Sequence, residues 1–269
     1  MLKALRGSVG DNTFKVATVS ALALLTLFFV IIIVSLLTYT DWSTIGSAFL
    51  SEGTLFAIRL SLITATITTI ISILIAIPVA YAISKNNFFG KSLIDSLLDL
   101  PIVISPVALG AALLIFFNTP LGSAINDNLL RFVFSVPGIV LAQFTIVSAL
   151  AVRLLKSTFD SIDLRYEQVG RTLGCSKPEA FFRIILPLAK NGLIASCILT
   201  WARATGEFGA TVTLAGATAM KTETLPISIF LNLASADIGQ AVALIFILII
   251  ISLIALLAIR FITGRRSII

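Results

Sequence analysis

The chain has 269 residues, of which 58% are hydrophobic and 12% are charged, and its formal net charge at pH 7 is +6. One soluble core cannot bury this much apolar surface, so the composition excludes an ordinary soluble protein. The absence of histidine removes the commonest general base and the usual zinc ligand, so we expect neither a catalytic site nor a metal site.

Six segments are long and apolar enough to cross a bilayer as helices, each of which needs roughly 20 residues. The predicted spans are residues 16–38, 57–83, 97–117, 133–155, 190–214 and 239–262. A segment rich in charge, residues 160–187, separates the fourth span from the fifth and is called the polar segment below. The sequence therefore predicts an all-α integral membrane protein that forms a single transmembrane domain over residues 1–269.

Basic residues predict the orientation of these spans. Fifteen of the nineteen lysines and arginines lie in the two terminal segments and in the loops that follow the second and fourth spans. Because positively charged loops stay in the cytoplasm, both termini and the polar segment are predicted to be cytoplasmic. Membrane orientation thus explains the excess of positive charge, and we expect no nucleic acid partner.

The second predicted span carries hydroxyl side chains at helical spacing, namely Ser61, Thr64, Thr68 and Ser72. Such a stripe either joins helices by hydrogen bonds or lines a polar path. Both interpretations stay open from the sequence.

Prolines interrupt the second and third spans at Pro78, Pro101 and Pro106. They are either kinks whose freed backbone groups are satisfied by neighbouring helices or hinges for a conformational change. The close aspartate pair Asp95 and Asp99 is predicted to lie at the cytoplasmic end of the third span.

The polar segment has the pattern of two short helices joined by a defined turn. Asp163 suits the N-cap of the first helix, and Gly174 suits its end because glycine tolerates the left-handed conformation. Ser176 begins a capping-box pattern, and the second helix is predicted to stop before Pro187. A DNA-reading helix-turn-helix is rejected, because the segment is tied to the membrane at both ends and its second helix is apolar.

The fifth predicted span contains the clearest intramembrane charges, Arg203 and Glu207, four residues apart. Charges inside a membrane are costly, and they mark either a structural ion pair or a transport pathway. The candidates for a pathway or gate are Arg203, Glu207, Phe208 and Thr211.

A phosphate-binding loop of the Walker A type needs two glycines at fixed spacing before a lysine. The nearest match, at Lys221, has Ala215 and Met220 at those two positions. The sequence therefore predicts that any ATP is bound by another chain.

The polar segment resembles that of permeases of ATP-binding-cassette importers. Their pattern is E-A-A, three residues, G, nine residues, then I-x-L-P, and here nine residues separate Gly174 from the run 184–187, which reads IILP. The triplet Gln168-Val169-Gly170 replaces E-A-A, with Glu167 just before it. The resemblance implies that the residues coupled to the ATPase are Glu167, Gln168, Gly174, Ser176, Ala180, Phe181, Ile184, Leu186 and Pro187.

Four further stretches resemble the permeases that carry molybdate, tungstate and sulfate. They are GEFGAT at 206–211, LPIVISPVALG at 100–110, PLG at 120–122 and ETLPISIF at 223–230. The resemblance implies import of an oxyanion, with molybdate or tungstate preferred and sulfate or thiosulfate as the alternative.

The same resemblance implies the assembly. This chain would pair with a second copy of itself, two cytoplasmic ATPase subunits and an extracytoplasmic oxyanion-binding protein in the cell membrane. It would bind no cofactor, and ATP and magnesium would be held by the ATPase. An ion-coupled secondary transporter is the alternative from another class, but it would lack the I-x-L-P pattern and usually shows repeats with broken helices.

Overall fold

The computed structural model describes residues 2–39 and 42–264, and this part of the chain contains helices and no strand. Fourteen α-helices are numbered in chain order. They are α1 Leu2–Leu36, α2 Trp42–Leu50, α3 Glu52–Lys85, α4 Lys91–Val103, α5 Pro106–Phe117, α6 Pro120–Asn128, α7 Val136–Asp160, α8 Leu164–Thr172, α9 Lys177–Ala180, α10 Leu186–Leu188, α11 Lys190–Thr205, α12 Gly209–Leu214, α13 Leu225–Ala234 and α14 Ile238–Gly264.

The described residues contain four helices long and apolar enough to cross a membrane, and up to six spans if each of two bent helix pairs counts as one. The four are Phe14–Leu36 within α1, the helices α3 and α7, and Ile238–Phe261 within α14. The prediction of an all-α integral membrane protein is confirmed. Arg265 and Arg266, which contributed to the predicted orientation of the C-terminus, lie outside the described residues.

The third predicted span, 97–117, is not one straight helix. It divides into α4 and α5, which are bent by 108° at a short break. The break follows from Pro106, which lacks a backbone N–H and disfavours helical geometry at Ser105, whose ψ is 133°. Pro78, by contrast, lies inside the continuous helix α3.

The fifth predicted span, 190–214, is also interrupted. Helix α11 ends at Thr205 and α12 begins at Gly209, so residues 206–208 form a break between them. The charges predicted inside a membrane helix therefore lie at a helix end, where freed backbone groups need partners.

Helices α3 and α7 pack against each other at the centre of the fold; α11 contacts both of them, α12 contacts α7, and α14 packs against α11. Small side chains let these helices approach closely. The alanines with no solvent exposure on α3 and α7 are Ala57, Ala65, Ala76, Ala80, Ala142 and Ala151. The apolar window of α1 differs, because none of it is buried against the rest of the chain.

The hydroxyl stripe of α3 is buried, and three of its four side chains, those of Ser61, Thr64 and Thr68, form hydrogen bonds to other segments. Thr68 donates a hydrogen bond to Gln143 Oε1 of α7 at 2.9 Å, and the amide of Gln143 donates to the carbonyl of Ala204 at 3.1 Å. Ser61 Oγ accepts from the backbone N–H of Leu225 at 2.7 Å. The structure thus favours helix packing over a polar path. It also shows that the buried Gln143 forms hydrogen bonds to both α3 and α11, which the sequence analysis did not predict.

Candidate functional site

The first helix of the polar segment, α8, is closed at both ends by local hydrogen bonds. The side chain of Asp163 accepts from the N–H of Arg165 at 2.9 Å, which confirms the predicted N-cap. After the helix, Gly174 has a φ of 94°, and the N–H of Cys175 donates to the carbonyl of Gly170 at 3.1 Å. This is a Schellman-type ending, as the glycine predicted.

The second helix begins with the predicted capping box. The N–H of Ser176 donates to the Glu179 carboxylate at 2.9 Å, and the N–H of Glu179 donates to Ser176 Oγ at 3.4 Å. The hydrogen bond from the Ser176 backbone, followed by that from its hydroxyl, holds the pKa of Glu179 below its usual value. The turn and both caps give the polar segment a defined shape.

The predicted stop before Pro187 is wrong. The chain continues from α9 through a π-helical turn, Phe181–Ile185, into α10, and the 72° bend follows Leu188. In the wider π turn the N–H of Leu186 bonds to the carbonyl of Phe181. A π turn shifts the hydrogen-bond register by one residue, which accommodates a proline that has no N–H to donate.

The inner face of the polar segment is tightly packed. A side chain on Gly170 would collide with Ile184, so the two short helices touch at this glycine. Ala180 is buried, and Phe181, Ile184 and Leu186 are partly buried. Gly170 is the last residue of the triplet that replaces E-A-A, and its small size lets the two short helices pack closely.

Glu167 and Gln168, neighbours in α8, differ in burial. Glu167 is only 7% exposed, and its carboxylate accepts a hydrogen bond from Tyr81 of α3 at 2.9 Å, whereas Gln168 is exposed. Tyr81 was missed by the sequence analysis, because a single tyrosine in an apolar span carries no pattern.

The outer face of the polar segment exposes apolar side chains around the Gly174 turn. Leu173, next to this glycine, is 81% exposed, and Val169 and Tyr166 are exposed on α8. Ser176 and Pro187 are exposed as well. Exposed apolar groups on a rigidly capped turn suit contact with another protein.

In the membrane region, the predicted partners Arg203 and Glu207 form an ion pair, with Nη1 of the arginine 2.7 Å from Oε2 of the glutamate. The glutamate side chain is 1% exposed and the arginine side chain 40% exposed. Glu207 Oε1 also accepts from the N–H of Ala210 at 3.1 Å. One carboxylate thus bridges the break between α11 and α12.

The other two pathway candidates lie close to this break. Thr211 is fully buried, and the ring of Phe208 lies 5.3 Å from that of Phe230. Of the four candidates, Glu207 and Thr211 are buried, whereas Arg203 and Phe208 are partly exposed.

The stretches 100–110 and 206–211, which both resemble the oxyanion permeases, meet where α5 crosses α12. A Cβ on Gly110 would lie 2.7 Å from the Cα of Ala210, and one on Gly209 would lie 3.0 Å from the Cβ of Pro106. The two helices that follow the breaks are thus in close contact through glycines.

Replacing Gly110 with alanine is expected to destabilise the protein by about 1–3 kcal/mol, because the added methyl group meets backbone that cannot move aside easily. Thermal unfolding of the purified protein in detergent measures the change. Gly53→Ala is the matched control, since a Cβ there meets nothing within 4 Å. Equal melting temperatures for both variants would contradict the close crossing.

Asp95 and Asp99 face basic side chains of α7. Arg153 forms an ion pair with Asp99 and lies 3.8 Å from Asp95, and Lys156 lies 4.0 Å from Asp95. The aspartates therefore hold α4 against α7.

Comparison with known proteins agrees with this geometry. Residues 72–268 match the family model described as binding-protein-dependent transport system inner membrane component. The chain is 32% identical over 262 residues to the probable transport system permease protein NifC of Clostridium pasteurianum, covering 93% of this chain and 91% of that one. It is 37% identical over 216 residues to the molybdenum transport system permease protein ModB of Haemophilus influenzae. This match covers 78% of this chain and 94% of that one.

The fold is also similar to a chain in the crystal structure of a bacterial alginate ABC transporter in complex with alginate pentasaccharide-bound periplasmic protein. The TM-score is 0.72 at 16% sequence identity, over 93% of this chain and 95% of that one. At this identity the likeness establishes the fold alone. The family match over most of the chain and the relatives above show that the chain belongs to the inner-membrane components of binding-protein-dependent transport systems.

Proposed function

We propose that this chain is the membrane-spanning permease of an ATP-binding-cassette importer that brings molybdate or tungstate into the cytoplasm. The observation that carries the proposal is the polar segment, whose capped turn exposes Leu173 while its inner face packs against membrane helices. The cargo follows from the similarity to ModB, which is named for molybdenum transport.

The proposed assembly contains two copies of this chain, two cytoplasmic ATPase subunits and an extracytoplasmic binding protein. ATP and magnesium bind to the ATPase subunits, and this chain binds no cofactor and catalyses no bond chemistry. Both termini and the polar segment lie in the cytoplasm, as the positions of the basic residues favour.

The mechanism is alternating access driven by the ATPase. ATP binding brings the two ATPase subunits together and carries the polar segments with them, which turns the pathway outward to the loaded binding protein. Hydrolysis resets the pathway inward. The breaks at 104–105 and 206–208 separate α4 from α5 and α11 from α12, so α5 and α12, which are in close contact, can shift together relative to α4 and α11.

Uptake of labelled molybdate into proteoliposomes tests the function. The vesicles hold this chain, its ATPase and its binding protein, and tungstate or sulfate is added as competitor. We expect uptake that requires ATP and is blocked by tungstate but not by sulfate. Competition by sulfate alone would keep the transporter class and change the cargo, whereas uptake driven by an ion gradient would overturn the proposal.

A further inference from the structure

A partly buried hydrogen bond joins the polar segment to the last turns of a membrane helix. Tyr81 lies in α3, which ends at Lys85, and its hydroxyl donates to Glu167 Oε2 at 2.9 Å. The bond connects residues 86 positions apart in the chain. A hydrogen bond to a carboxylate that is removed from water is stronger than one between neutral, exposed groups.

Aromatic contacts surround this hydrogen bond. The ring of Tyr81 packs edge-to-face on Phe181 of the second short helix, with centroids 4.7 Å apart, and on Phe159 of α7, with centroids 5.9 Å apart. Tyr81 therefore contacts both helices of the polar segment and the central helix α7. A displacement of the polar segment must either move the end of α3 with it or break these contacts.

The position of Glu167 also bears on the contact with the ATPase. Its carboxylate faces inward, while the exposed neighbour Gln168 is uncharged. The acidic group nearest to the family triplet is thus engaged within this chain, and its partner is a membrane helix.

We propose that Tyr81 is a positioning residue, and that its hydrogen bond to Glu167 transmits movement of the polar segment into α3. The inference rests on the proposed function and goes beyond it, because it assigns Glu167 to an internal link. Loss of the link leaves ATP hydrolysis in place and lowers the number of oxyanions moved per ATP.

The test is Tyr81→Phe in the reconstituted transporter, which removes the hydroxyl and keeps the ring. We expect ATP hydrolysis close to that of the unmodified complex and about tenfold less molybdate moved per ATP, the loss that one hydrogen bond to a charged group corresponds to. Tyr39→Phe is the matched control, since it removes the same hydroxyl from a tyrosine that lies outside both the polar segment and α3. It is expected to leave the ratio unchanged.

A second pair of variants gives a result even if Tyr81→Phe does not assemble. Glu167→Gln keeps an oxygen that accepts from Tyr81, so it should retain more coupling than Glu167→Ala. The double variant Tyr81→Phe with Glu167→Ala should lose no more coupling than Glu167→Ala alone, because both changes remove the same bond.

Three results would overturn the inference. They are an unchanged ratio in Tyr81→Phe, a proportional fall in hydrolysis and uptake with a lower melting temperature, and equal coupling in Glu167→Gln and Glu167→Ala. A failure of the proposed function is distinct, since the unmodified complex would then show no ATP-driven uptake.

Discussion

Arg203→Gln is expected to destabilise the protein by about 2–3 kcal/mol, somewhat below the usual cost of breaking a buried ion pair because the arginine is partly exposed. The two side chains differ in exposure, and this difference decides which substitution lowers the stability more. Glu207 is 1% exposed and Arg203 40% exposed, so removing the arginine leaves a buried, uncompensated carboxylate. Removing the glutamate leaves a cation that is partly accessible. Thermal unfolding in detergent should therefore show a larger loss for Arg203→Gln than for Glu207→Gln.

The double variant supplies the decisive comparison. With both residues changed to glutamine no charge remains in the site, so the protein should recover part of the stability lost by Arg203→Gln alone. Arg59→Gln is the matched control, because Arg59 is exposed on a membrane helix and forms no ion pair among the described residues. A double variant whose loss equals the sum of the two single losses would contradict the pairing.

Gly174→Val is expected to uncouple ATP hydrolysis from transport while leaving folding and dimer formation intact. The φ of 94° at Gly174 lies in a region that a β-branched residue avoids, so the turn between the two short helices must change shape. Open space surrounds this glycine, so the effect comes from backbone conformation and not from a collision. Molybdate moved per ATP in proteoliposomes is the measurement, and we expect a fall of about tenfold, the equivalent of the strain at one such residue.

The chain offers a control with the same backbone strain. Gly90, before α4, has a φ of 79° and also has open space around it. Gly90→Val should cost similar local strain, yet it lies outside the polar segment and should keep the normal ratio of transport to hydrolysis. If both variants lost coupling equally, backbone strain alone would explain the loss, and the role of the Gly174 turn would be rejected.

Local features of the polar segment were predictable because they depend on neighbouring residues. The caps at Asp163 and Ser176 each involve atoms within three residues, and the Gly174 turn depends on one backbone angle. Such interactions form wherever the local sequence allows them. The end of the second helix was not predictable, because the π turn before Pro187 is one of several ways in which a helix accommodates a proline.

Composition and hydropathy by themselves determined that this is an all-α membrane protein. In lipid, a chain with these apolar runs must satisfy its backbone groups internally, and helices do so segment by segment. Tertiary structure alone decided which side chains meet. Glu167 faces Tyr81 while Gln168 faces outward, and Gln143 links the hydroxyl stripe to α11. These contacts join residues more than 60 positions apart, so they depend on how the helices pack and rotate against one another, which no local pattern specifies.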